Sequence, residues 1–340
     1  MEYHKNQMGI GVIGAGSWGT ALADLLAGKG LNPVLWCLEP DVAEQIRTRH
    51  ENSQYLAGIQ LDPGIEPTPD IKQAVADKEM ILFVVPSHHF REVFARAKEF
   101  LPKDAILVSA TKGIEIDTLK TMSQVMIELA PGHADKIVVI SGPSFAREVA
   151  QKGVTVITAA GKNQKAAEIV QQTLSTDYFR TYTISDVIGA ELGGATKNVI
   201  AIASGICDGM GLGLNTRAAL ITRGLAEIAR LGIKMGAEPM TFAGLAGIGD
   251  LVLTCTGTLS RNYTVGFKIG QGAALKDILA EMKMVAEGVK NAESIYRLSQ
   301  RENVEMPITE QIYLLIHAGK SPKLAIAALM GRKLKTEFWK

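Results

Sequence analysis

The chain has 340 residues, 47% hydrophobic and 21% charged, with a formal net charge of +1. That length suits two domains with sizeable cores and excludes a disordered chain, and the near-neutral balance leaves no basic excess for nucleic acid. The three cysteines, Cys37, Cys207 and Cys255, are far apart with no CxxC pair, which argues against a disulfide framework or a zinc site and suits a reducing, cytoplasmic setting.

The first residues, MEYHKNQ, lack a basic-then-apolar signal pattern. No apolar run reaches the ~18 residues of a transmembrane helix, so no transmembrane segment is expected. Ile10 to Ile13 reads as a buried strand. Gly14, Gly16 and Gly19 follow at GxGxxG spacing, and Ala21, Leu22, Leu25 and Leu26 then repeat at helical spacing. Gly14 would allow the tight turn, Gly16 a close approach to a pyrophosphate, and Gly19 close packing of helix on strand. The helix N-terminus would offer free N–H groups to the phosphates. Glu39 stands about 20 residues on, where the fingerprint asks for an acid.

Pro33 to Cys37 predicts a second strand and Asp41 to His50 a helix. Glu51 to Pro69 reads as loop, and Ile71 to Ala76 as a short helix. The runs Met80 to Val85, Ala105 to Ala110 and Ile137 to Ser141 predict strands covered on both faces. Between and after them, helices are expected at Phe90 to Leu101, Thr118 to Ala130 and Phe145 to Gln151. A further strand pair, VTVITAA and YFRTYTI, brackets a helix near Gln164 to Leu174. The alternation implies βαβ units and a mostly parallel sheet with its ligands beyond the carboxyl ends of the strands. Gly14–Gly19, Pro86–His89, Thr111–Gly113 and Gly142–Ser144 all follow strands, so they are expected to meet in one crevice.

From Asp186 onward the periodicity is helical. Helices are expected at Thr216 to Leu231, Thr241 to Cys255, Asn262 to Gly270, Leu275 to Met282, Lys290 to Glu302, Thr309 to His317 and Lys323 to Met330. The expected fold class is therefore α/β. An N-terminal Rossmann-type domain, residues 1–188, precedes an all-helical domain, residues 189–340. In Glu191 to Gly209, Gly193 and Gly194 would each cost about 1 kcal/mol relative to Ala inside a helix, which points to a close approach by another backbone or a ligand.

Several polar residues carry two readings. Lys197 in its apolar helix is either a snorkelling surface lysine or a proton donor and acceptor in a cleft. Lys112 is a solvated loop lysine or a phosphate contact. Asp250, in an apolar run, is a helix cap or a partnered carboxylate. Ser260-Arg261-Asn262 suits a phosphate, or is a surface capping sequence. His88 and His89, side by side at a helix start, should point apart, and no metal site is expected. Trp36 and Trp339 read as core or rim; Trp18 lies within the glycine loop.

Taken together, GAGSWGTALA, VVPSH, ATKG, ISGPSFAREV, ELGGATKNVIAIASG, TRGLAEIARLG, GIGDLVLTC, SRN and VAEGVKN resemble bacterial NAD(P)-dependent glycerol-3-phosphate dehydrogenase over essentially the whole chain. The resemblance implies interconversion of dihydroxyacetone phosphate and sn-glycerol 3-phosphate with NAD(H) or NADP(H), in the service of phospholipid synthesis. It implies that Ser17 and Trp18 contact the cofactor, as do Ala146, Val285 and Glu287. Lys112 would touch cofactor and substrate. Gly142, Ser144, Asp250, Ser260, Arg261 and Asn262 would contact the substrate, with Arg261 also reaching the cofactor. Lys197 would be the proton acceptor, oriented by Asp250. The implied partner is a phosphorylated small molecule, with a homodimer allowed and nucleic acid not expected. In one place the chain departs from the resemblance: Cys37-Leu38-Glu39 stands where the family often has a basic residue or histidine near the adenosine ribose. An acid favours a ribose 2′-hydroxyl, and a 2′-phosphate wants a cation. Two further readings are another two-domain dehydrogenase acting on an unphosphorylated hydroxy acid, and a non-catalytic NADH sensor.

Overall fold

Short apolar runs flanked by turns become strands here because helices cover both of their faces. In the computed structural model, which describes residues 8–282, 286–334 and 336–337, the first half of the chain alternates strand and helix. Its elements are β1 (Ile10–Ile13), α1 (Ser17–Ala27), β2 (Val34–Trp36), α2 (Pro40–Arg49), β3 (Glu66–Thr68), α3 (Ile71–Val75), β4 (Met80–Phe83) and α4 (Ser87–Ala97). They continue with β5 (Ile106–Ser109), α5 (Met122–Leu129), β6 (Ile137–Ser141), α6 (Ala146–Ala150), β7 (Thr155–Gly161), α7 (Gln164–Leu174) and β8 (Phe179–Ile184).

The strands form one 8-stranded sheet in the order β3-β2-β1-β4-β5-β6-β7-β8. Only β6 and β7 pair antiparallel. The chain steps outward from β1 to β2 and β3, then returns to the other side of β1 with β4. The switch point, where such folds bind ligands, therefore lies at the carboxyl ends of β1 and β4. All residues of β1, β4, β5 and β6 are buried.

After β8 the elements are helical: α8 (Val187–Gly209), α9 (Gly213–Lys234), α10 (Pro239–Phe242), α11 (Asp250–Thr256), α12 (Arg261–Gly270), α13 (Leu275–Glu281), α14 (Glu287–Arg301), α15 (Pro307–His317) and α16 (Pro322–Met330). The axis of this half is α8, buried along nearly its whole length. Its glycines let α12 cross at backbone contact: a Cβ on Gly205 would lie 2.1 Å from the Tyr263 carbonyl oxygen, and one on Gly266 2.0 Å from that of Ile202. Asp186 caps α8 through the Gly189 N–H at 2.9 Å. The buried Glu191 accepts from the N–H and hydroxyl of Ser123 on α5, at 2.8 and 2.6 Å, and so ties α8 to the sheet half.

Three expectations change. Glu66–Thr68, read as loop, is an edge strand on β2; its Pro67 is tolerated because β3 is outermost. The helix expected from Thr118 begins at Met122, because Thr121 and Gln124 form a capping box there. The helix expected over Thr241 to Cys255 breaks into α10, a π-helical turn at Leu245–Gly249, and α11. That broken stretch, Pro239–Thr256, is 18 residues long and apolar enough to cross a membrane by length and composition alone. Here it is bent and carries the ion-paired Asp250 within it.

Candidate active site

The glycine loop takes the shape its spacing predicts. Gly14 has φ +117°, a conformation that a side chain would strain. A Cβ on Gly19 would lie 1.8 Å from the Gly14 carbonyl oxygen, so α1 packs directly on the turn. A Cβ on Gly16 would meet nothing within 4 Å, which leaves open space over the loop. No side chain caps α1, and its first-turn N–H groups at Ser17, Trp18 and Gly19 border that space. This cradle fits a pyrophosphate. Ser17 donates its hydroxyl to the Tyr55 carbonyl at 2.5 Å. Trp18 is half-buried against the sheet core, and Trp36 is buried, its ring N–H bonded to the Pro69 carbonyl at 3.0 Å. Trp339 lies outside the described residues.

The other strand-end segments gather on the same side. Thr111 donates to the Val85 carbonyl at 2.7 Å. A Cβ on Gly113 would fall 2.4 Å from the Ser87 hydroxyl, so the segments after β4 and β5 touch. Lys112 Nζ donates to the Gly142 carbonyl at 3.2 Å, and the Ser144 hydroxyl donates to the same oxygen at 3.0 Å. Ala146 opens α6, which follows directly.

The helical half then adds its charges. Asp250 is fully buried. Lys112 Nζ meets its Oδ2 at 2.7 Å, and Lys197 Nζ donates to its Oδ1. The Lys197–Asp250 contact depends on Gly193, one turn earlier on α8. A Cβ there would sit 2.2 Å from the Ala246 carbonyl oxygen in the π-helical turn that leads into Asp250. Gly194 makes room for the Lys112 stem, whose Cγ would be 3.4 Å from an added Cβ. The close approach expected at Gly193 and Gly194 is thus to a backbone and to a site lysine.

The capping reading of Asp250 does not hold: Gly249 occupies the cap position of α11, and the carboxylate is spent on two ammonium groups. Nor does Lys197 snorkel, because its Nζ is held inside and only 6% of the residue is exposed. Burial lowers the Lys197 pKa well below the ordinary lysine range, Asp250 opposes the shift and Lys112 adds to it. Burial also acts to raise the Asp250 carboxyl, but Lys112 and Lys197 outweigh it and hold it below its usual value.

At the start of α12, Ser260 is the cap: its Oγ accepts from the Tyr263 N–H at 3.2 Å. Arg261 is exposed and makes no hydrogen bond to the described residues. Asn262 is buried; its Oδ1 accepts from the Gly288 N–H at 2.9 Å, which leaves the amide NH2 as donor. Glu287 opens α14. Burial raises its pKa, and the positive charges of Arg261, Lys112 and Lys197 pull it the other way. Val285 lies outside the described residues.

Two polar groups at this place escaped the reading of the sequence. Asn291 is 1% exposed; its Nδ2 donates to the Ala195 carbonyl at 3.1 Å, and its Oδ1, 3.1 Å from where a Gly113 Cβ would be, has no partner among the described residues. The buried Ser141 hydroxyl, also without a partner, faces Gly194. The available signal for Asn291 was a polar residue on the buried stripe of an amphipathic helix. The histidines do not point apart: the rings of His88 and His89 lie 4.1 Å from centroid to centroid. Burial, then His89 and Lys290, push His88 down to about 4, so it is neutral near pH 7. No group of three or more His, Cys, Asp or Glu side chains among the described residues could hold a metal.

Family models for the N-terminus and C-terminus of NAD-dependent glycerol-3-phosphate dehydrogenase match residues 9–167 and 186–327. The chain belongs to this family. A glycerol-3-phosphate dehydrogenase (NAD(P)+) of Citrifermentans bemidjiense is 56% identical over 329 residues, 96% of this chain and 98% of that protein. That of Syntrophobacter fumaroxidans is 55% identical over 330 residues, 97% of each chain. The crystal structure of glycerol-3-phosphate dehydrogenase from Coxiella burnetii superposes with a TM-score of 0.91 at 38% identity, covering 96% of this chain and 99% of that one. The two matched segments of the glycerol-3-phosphate dehydrogenase family contain the glycine loop, both lysines, Asp250 and the start of α12. What these groups offer chemically is a dinucleotide cradle, a buried lysine held on a carboxylate that it shares with a second lysine, and an open guanidinium.

Proposed function

We propose that this chain is an NAD(P)-dependent oxidoreductase that interconverts dihydroxyacetone phosphate and sn-glycerol 3-phosphate, with Lys197 as the proton donor and acceptor. The observation that carries this reading is Asp250 buried between Lys112 and Lys197, beside the carboxyl ends of the strands. NAD(P)H, when bound, supplies the hydride that reduces the substrate carbonyl. The glycine loop, Ser17, Trp18 and Ala146 line the cofactor's side of the crevice, Glu287 approaches it from the helical half, and the family resemblance adds Val285 as a further cofactor contact.

Substrate binding begins at the phosphate. The Arg261 fork, the free amide of Asn262 and the first N–H groups of α12 all suit it. Binding energy from this remote group can set the carbonyl in position. Negative charge then develops on the carbonyl oxygen, and Lys197 stabilises it and donates a proton; in the oxidation direction the neutral amine accepts one. Burial brings its affinity for protons toward neutrality, where both roles are open. Asp250 orients Lys197, and Lys112, held on Gly142, adds positive potential beside Ser144.

In this reading the product supplies phospholipid synthesis, and the enzyme works in the cytoplasm, a setting that the three free, buried thiols suit. The chain divides functionally near residue 188 into a dinucleotide-binding part and a helical catalytic part. The test is oxidation of NADH or NADPH with dihydroxyacetone phosphate against unphosphorylated dihydroxyacetone. Turnover should require the phosphate; equal turnover of both substrates would sink the assignment.

A further inference from the structure

In a doubly wound sheet, the residue at the carboxyl end of the second strand meets the adenosine ribose. Here Glu39 stands just beyond the end of β2, at the cap position of α2, and its side chain is held in place. Tyr55 donates its hydroxyl to Glu39 Oε1 at 2.8 Å. Tyr55 is fixed in turn at both ends of its backbone unit. Its N–H donates to Asn52 Oδ1 at 3.1 Å, and its carbonyl accepts from the Ser17 hydroxyl at 2.5 Å. Asn52, fully buried, gives its amide hydrogens to the Ala15 carbonyl and the Thr20 hydroxyl, each at 2.9 Å. The connection between α2 and β3 is therefore stitched to the glycine loop, and Tyr55 reaches from it to the carboxylate.

Among the described residues, the second oxygen, Oε2, has no hydrogen-bond partner and Glu39 has no ion pair. Arg47, on the same helix, is engaged with Glu44 and donates to the Pro67 carbonyl at 3.1 Å. Asp41 adds a second negative charge in the first turn of α2. A carboxylate only accepts hydrogen bonds. A ribose hydroxyl can donate to it, whereas a phosphate ester there is another acceptor carrying like charge.

We propose that Glu39 and Tyr55 together make this chain selective for NADH over NADPH. Glu39 reads the ribose hydroxyl; Tyr55 is the positioning residue that keeps the carboxylate beside the glycine loop. The inference rests on the dehydrogenase reading above and adds the cofactor that this member takes.

The test is calorimetric titration of the full-length protein with NADH and with NADPH, without substrate, alongside KM and kcat for each. A hydrogen bond to a charged group corresponds to roughly tenfold or more in affinity, so NADH should bind at least about tenfold tighter. Glu39→Ser should bring the two affinities close together, by weakening NADH and strengthening NADPH. Glu39→Gln, which keeps the shape, should move the ratio the same way and serves if the serine variant folds poorly. Tyr55→Phe should raise the Kd and KM for NADH several-fold, with a smaller change in kcat and none in NADPH affinity; a merely structural role would weaken both nucleotides alike. Equal or tighter binding of NADPH by the unaltered protein overturns the proposal, as does an unchanged ratio in both Glu39 variants or a Tyr55→Phe loss shared by both nucleotides. Binding of neither nucleotide overturns the dehydrogenase reading with it, whereas tight binding of both overturns the selectivity alone.

Discussion

Lys112 reaches Asp250 at 2.7 Å from a loop of the sheet, on the carboxylate oxygen that Lys197 leaves free. One buried carboxylate thus joins a residue that follows β5 to one in the middle of α8. The pairing ties the sheet half to the helical half here and holds the buried Lys197 ammonium on Asp250.

Asp250→Asn tests that arrangement. It leaves two ammonium groups facing each other without a counter-charge, and removing one partner of a buried pair costs about 3–5 kcal/mol. Melting temperature should fall. The deficit should shrink as pH rises, because Lys197 can then discharge. Turnover should fall too, since nothing orients the amine. A variant with unchanged melting temperature and turnover would refute the role.

Lys197→Met keeps the stem and removes the ammonium. General acid–base groups contribute about 10²–10⁴-fold, so turnover should drop by at least that much with dinucleotide affinity nearly unchanged. The pH profile of the unaltered protein follows from the lowered Lys197 pKa, about 7. Carbonyl reduction needs the protonated lysine and should decline as pH rises through that value; alcohol oxidation needs the neutral amine and should increase. Folding stability carries the same group. Between about 7 and the ordinary lysine value of 10.5 the unfolded chain binds more protons, so this contribution to stability rises with pH. Pre-steady-state rates across pH for both proteins check the assignment, and an inflection that survives in Lys197→Met would assign it elsewhere.

Arg261→Lys preserves the charge and loses the planar fork. KM for dihydroxyacetone phosphate should rise and kcat/KM fall, because the remote phosphate no longer sets the carbonyl. Melting temperature should hold, since Arg261 is exposed at the start of α12. Steady-state kinetics decide; an unchanged kcat/KM would remove Arg261 from the phosphate site.

Gly193→Ala inserts a methyl 2.2 Å from the Ala246 carbonyl oxygen. Helix propensity alone would favour the change, yet the overlap must push α8 away from the π-helical turn. Overpacking of this kind costs about 1–3 kcal/mol. Both melting temperature and turnover should fall, because the displaced turn carries Asp250. Thermal unfolding and a turnover assay together check this; a stabilised, fully active variant would show that the contact is slack.

What the residues alone determined is what local chemistry dictates. Gly14, Gly16 and Gly19 specify a turn, an opening and a close contact within one strand–helix unit, and all three roles appear in the backbone. Buried strands declare themselves as apolar runs, and α8 as a long Gly/Ala-rich helix. Edges and breaks were harder to read. Glu66–Thr68 is a strand only because β2 lies beside it, and the segment before Asp250 opens into a π-helical turn where three glycines leave α10. The fate of the polar residues belonged to the tertiary structure. By sequence Asp250 reads most simply as a cap, and Lys197 equally as a surface lysine; packing places them on each other through the missing side chain of Gly193. Ser260 satisfied its cap, whereas Asn262 spent only its carbonyl oxygen and kept its amide. The Tyr55–Glu39 bond likewise joins residues from separate segments. Spacing along the chain encodes backbone geometry over a turn or two. Which charges face each other is decided by crossing helices, and only the assembled core fixes those.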